Sequence, residues 1–71
     1  MSNPAYTFIN YRRGITHLSS CKVLLRAAIS SMKHTADPEV LRHMRIVGES
    51  IDDAKWEIEQ QMNELKAQKE D

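Results

Sequence analysis

Seventy-one residues, with ten Lys and Arg against ten Asp and Glu, make one domain at most and a chain of zero formal charge. A chain this short buries too little apolar surface to be comfortably stable without a metal, disulfides or a partner subunit. Cys21 is the only cysteine, which excludes an intrachain disulfide and suits a reducing compartment. No apolar run approaches the roughly 20 residues that span a bilayer. No basic stretch leading into an apolar core marks a signal peptide either, so a cytoplasmic location is expected.

The zero net charge conceals a split. Residues 1–36 carry five bases (Arg12, Arg13, Lys22, Arg26, Lys33) and no acid, whereas residues 37–71 carry all ten acids against five bases. Opposite signs favour the two halves lying against each other or against those of a second copy, and they leave a candidate anion-binding face on the first half.

In chain order, Asn3-Pro4 can open a first helix. Phe8, Tyr11, Ile15, Leu18, Lys22, Leu25, Ile29 and Met32 then alternate in steps of three and four, with Lys22 as the one polar breach. This predicts a helix over about residues 4–34. Gly14 lies inside it at a cost of about 1 kcal/mol relative to Ala, so a break there, with a shorter helix from Thr16, is the alternative. Residues 35–37 read as a turn. Asp37 suits an N-cap, Pro38 the first helical position, and Glu39 the positive end of the helix dipole. A second helix is therefore expected over about residues 38–67, with residues 66–71 frayed. Its seam reads Val40, Met44, Val47, Ile51, Ala54, Ile58, Gln61 and Leu65. So short a turn forces the helices antiparallel, placing Met32 near Val40, Leu25 near Val47, Leu18 near Ala54 and Phe8 near Leu65.

The expected fold is all-α: an antiparallel two-helix hairpin over residues 1–71. A second interface is suggested by Thr7, Gly14, Cys21 and Ala28, small residues one heptad apart, with His17 and Leu24 beside them. They would let another helix approach closely, so two hairpins are expected to pair as a homodimeric four-helix bundle.

Candidate chemistry is sparse. His17 and Cys21 share a helix face at a spacing open to zinc or to an activated thiolate, with Asp52 the only plausible third group. A small residue beside an ordinary histidine is the plainer reading. Asp52, Asp53, Glu57, Glu59 and Glu64 fall on exposed helix faces rather than in a shared cleft. Only two glycines are present, and no phosphate loop can be built from them. No catalytic residue, cofactor or metal is expected, and the chain reads as a non-enzyme.

Arg12, Arg26 and Lys33 recur at heptad spacing along one edge of the first helix, with Arg13 adjacent. Leu41, Gly48 and Met62 are expected opposite them, so no acid of the same hairpin neutralises that edge. These four bases are the candidate RNA or DNA contacts, and Tyr6, Phe8 and Tyr11 could stack on exposed bases. The acidic second half and a sequence pI near 6.8 weigh against that reading. Trp56 falls opposite the seam, with Ile46 on an earlier turn. An outward tryptophan suggests contact with another chain, unless the N-terminal arm (Tyr6, Phe8, Ile9) folds over it. Partner contact is therefore assigned to Trp56, Ile46, Cys21, Leu24 and Ala28.

In length and helix layout the chain resembles two kinds of small protein: plasmid RNA-binding regulators that dimerise into four-helix bundles, and helical-hairpin chaperones of type III secretion. The likeness carries over no functional residue, and it implies the same two function classes. The expectation is a small regulator, adaptor or assembly factor that binds protein through helix–helix contacts, with no membrane association. A nucleic-acid-binding regulator is the alternative.

Overall fold

The computed structural model describes residues 4–70. Helix α1 spans Pro4–Met32 and helix α2 spans Pro38–Glu70, packed antiparallel. Asn3, assigned above to the first cap, lies outside the described residues, as does Asp71. Helix α1 runs unbroken through Gly14, where a Cβ would meet nothing within 4 Å. One glycine costs too little to interrupt a helix held along its length by a partner.

Helix α1 stops two residues earlier than expected. The amides of Thr35 and Ala36 both donate to the Met32 carbonyl, at 3.0 and 2.8 Å. The Thr35 hydroxyl donates to the same oxygen at 3.3 Å, competing with helix continuation as short hydroxyl side chains do. Helix α2 begins at Pro38 as expected. The Asp37 carbonyl accepts its first helical bond from the Leu41 amide, at 3.2 Å, and Glu39 on the first turn holds the Arg42 guanidinium at 2.9 and 3.2 Å. At its far end α2 continues to Glu70 rather than fraying from residue 66. Lys66, Ala67, Gln68 and Lys69 are strong helix formers and no Gly or Pro stops them.

The seam of α1 is the expected one from Phe8 to Ile29: each of its members is half-buried, Lys22 included, and only Met32 at the turn end is exposed. On α2 the seam is rotated. Met44, Ile51, Ala54, Ile58 and Leu65 face inward, but Leu41, Gly48 and Met62 replace Val40, Val47 and Gln61. Leu25 therefore packs on Gly48, not Val47: a Cβ on Gly48 would lie 3.4 Å from Leu25 Cδ2. A missing side chain at that point lets the helices close, whereas valine would hold them apart. The same rotation brings Asp52 to Lys22, and the two form an ion pair between the helices. The expected Met32–Val40 contact is not a buried one, since both residues are exposed.

The hairpin measures 54 × 17 × 15 Å, with a radius of gyration of 16.3 Å, against about 11 Å for a compact domain of this length. It exposes 5748 Å², where a compact monomer of 8.2 kDa exposes about 4500 Å². Leu41, at 8% exposure, is the one hydrophobic residue that counts as buried among the described residues. The molecule is a rod with a seam in place of a core.

Candidate interaction faces

The two flanks of the seam differ in chemistry. On one flank, Asn10, Gly14, His17, Cys21, Leu24 and Ala28 of α1 follow one another in steps of four and three without a Lys, Arg, Asp or Glu. Beside them on α2 run Val40, His43, Val47, Ser50 and Ala54, equally free of those residues until Glu57 and Glu64. Val47 is 50% exposed, Val40 41% and Leu24 69%. Away from the turn this flank deepens into an open groove of about 710 Å³, where Tyr11 of α1 faces Ala54, Ile58 and Gln61 of α2. Trp56, Glu57, Gln60 and Glu64 complete its lining.

The other flank is charged. Arg12, Ile15 and Thr16 line a groove of about 460 Å³ with Glu59, Met62, Asn63 and Lys66. Nearer the turn, Lys22, Leu25, Arg26 and Ile29 face Met44, Arg45, Gly48, Glu49 and Asp52 across a space of about 160 Å³. This differs from the expected edge. Leu41 and Gly48 lie inside the seam rather than opposite the bases, and the acids Glu49, Asp52 and Glu59 share the grooves with Arg12 and Arg26. The Lys22 hydrogen bond holds the Asp52 carboxyl below its ordinary value against an opposing effect of desolvation, with the charges of Lys22, Lys55 and Arg26 acting in the same direction as the bond.

The candidate nucleic-acid residues are therefore not gathered. Arg12 and Arg26 are about 21 Å apart along α1, Arg13 points away from their edge by helical position, and Lys33 lies in the turn. Of the aromatics near them, Tyr6 is exposed, Phe8 packs beside Arg12, Met62 and Lys66, and Tyr11 belongs to the uncharged flank.

The candidate partner residues divide as well. Cys21, Leu24 and Ala28 share the uncharged flank, whereas Ile46 projects from the outer side of α2 and Trp56, ten residues and about 15 Å further along, lies at the margin of that flank's groove. Trp56 is 61% exposed, and Tyr6, Phe8 and Ile9, which in the alternative reading would fold over it, form the first turns of α1. His17 and Cys21 are both exposed on the uncharged flank, on the opposite side of the seam from Asp52. Among the described residues no three His, Cys, Asp or Glu are grouped to hold a metal ion, and no helix is long and apolar enough to cross a membrane. Sequence reading missed Val40 and Val47 as surface, having placed them inside the hairpin.

Comparison with protein-family models, with curated proteins and with solved structures returns no match.

Proposed function

We propose that this protein is a small, non-enzymatic regulator, adaptor or assembly factor that acts by binding protein through helix–helix contacts. The observation that carries the reading is the exposure of apolar surface on a chain without a core. Val23, Leu24, Val40, Ile46, Val47 and Trp56 all stand in water, and a soluble monomer rarely leaves that much unpartnered. Trp56 and Ile46, both exposed on α2, offer anchors of the kind enriched at binding hot spots. The mixing of acids with Arg12 and Arg26 along the charged flank favours protein over a phosphate backbone.

Photo-crosslinking tests the proposal. A photoreactive side chain replacing Trp56, and separately Ile46, in the native cell should join the chain to the same second protein. Adducts with nucleic acid overturn the proposal, as does heparin retention that falls steeply with salt and vanishes on reversing Arg12 and Arg26 to Glu.

A further inference from the structure

We infer that the uncharged flank is where a second copy of this chain docks, in an inverted arrangement with the two turns at opposite ends. The inference deepens the reading above by assigning a partner to one of its faces, and it rests on that reading.

Area argues for a copy. The hairpin's excess surface over a compact monomer is about 1200 Å², while a standard interface removes about 800 Å² from each partner. Pairing on this flank would bring the chain into the range of an ordinary folded protein of its size. The flank also suits burial over its turn half. In that half, from His17 to Ala28 on α1 and from Val40 to Ala54 on α2, the flank carries no Lys, Arg, Asp or Glu, whereas the opposite flank would bury Arg12, Arg26, Glu49 and Glu59 together. On α2, Val40 and Val47 supply the apolar surface, and across from them Gly14, Cys21 and Ala28 leave room for a neighbouring helix.

Charge sets the orientation. Glu57 and Glu64 are the acids of this flank and both lie at the end away from the turn. If the two turns met at one end, all four of these carboxylates would collect at the other, where like charges repel. Inversion about the middle of the hairpin separates them. The Leu25–Gly48 contact places that middle near Leu18 and Ala54. With Ala54 opposite its own counterpart, Val47 comes level with Gln61 of the partner subunit and Glu64 with Met44 of the partner subunit, next to the partner's His43.

Molar mass and one distance test the inference. Sedimentation at tens of micromolar should give twice 8.2 kDa. Val47→Glu and Ala28→Glu should each lower the mass toward the monomer, and Val23→Glu, on the outer side of α1, should leave it unchanged. A nitroxide on Thr35→Cys in a Cys21→Ser background reads the orientation without disturbing the flank. The two labels should lie roughly 50 Å apart, since each turn is about 25 Å from the centre. A wild-type monomer overturns the inference. So does a dimer that Val23→Glu disrupts as readily as Val47→Glu, and a label separation under about 25 Å overturns the inverted orientation. A monomer that still crosslinks to another protein through Trp56 removes this inference and leaves the proposed function standing.

Discussion

Replacing Gly48 with alanine tests the rotated seam directly. Glycine in a helix interior costs about 0.8–1.0 kcal/mol relative to alanine, and Gly48 lies eleven residues into α2. The added methyl would sit 3.4 Å from Leu25 Cδ2, an ordinary contact at its near limit, so Leu25 has to give by little or nothing. The methyl also leaves water, though only a fraction of the roughly 0.8 kcal/mol for a fully buried carbon applies beside an open seam. The expected result is stabilisation of about 1 kcal/mol, which for a domain of this size raises the melting temperature by roughly 4–8 °C. Gly48→Leu would instead force the helices apart and should destabilise by about 1–3 kcal/mol. Thermal melts by circular dichroism, at one fixed protein concentration because association shifts apparent stability, decide it. If Gly48→Leu proves harmless while Val47→Leu destabilises, the seam runs through Val47 and the reasoning fails.

Two further predictions concern the seam and the ion pair. Leu41→Ala should cost about 2 kcal/mol, the low end for a buried leucine because solvent reaches both flanks of the seam; Trp56→Ala should change stability by less than about 0.5 kcal/mol, and comparable losses in chemical denaturation would contradict the burial pattern. Because Lys22 holds Asp52 below its ordinary carboxylate value in the folded chain, the pair's contribution is complete above the unfolded value near pH 4 and is lost as pH falls through it toward the lower folded value. Asp52→Asn should therefore flatten the acid limb of a stability–pH profile and leave its neutral-to-alkaline limb in shape, and an acid limb unchanged by the substitution refutes the pairing.

The parts of the fold legible in the sequence were those written in local chemistry. Asp37-Pro38-Glu39 marks the start of α2 because capping, a fixed φ and dipole complementarity act within one turn. The seam of α1 was legible because its apolar residues admit one phase. The phase of α2 was not. Met44, Ile51, Ile58 and Leu65 are compatible with two seams, one completed by Val40, Val47 and Gln61, the other by Leu41, Gly48 and Met62. Hydropathy favours valine over glycine at the central position, yet the Leu25 side chain lying 3.4 Å from where a Cβ would sit leaves room there for no more than a small residue. Lys22 carried the missing signal: a half-buried lysine on one helix asks for an acid at the same level on the other, and Asp52 meets it only in the glycine phase. The mixed charge of the Arg12–Arg26 flank was illegible for the same reason, since it follows from that rotation.

The ambiguity of α2 also explains why the hairpin has an apolar flank at all. A helix with one neighbour needs a single narrow stripe, whereas a helix inside a bundle needs an apolar arc of about 100° or more. In α2 the two seams lie side by side and together span such an arc: the hairpin uses Leu41 and Gly48 and leaves Val40 and Val47 in water. Helix α1 shows the corresponding breadth, its seam bordered by Gly14, Cys21 and Ala28 on one side and by Arg12 and Arg26 on the other. Rotating α2 to bury Val47 would expose Leu41 and separate Lys22 from Asp52, so the hairpin cannot cover both seams by adjusting its own packing. A further helix packed on that flank would cover the second seam. The uncovered second seam thus links the missing core, the exposed valines and the proposed action through helix–helix contact in one physical cause.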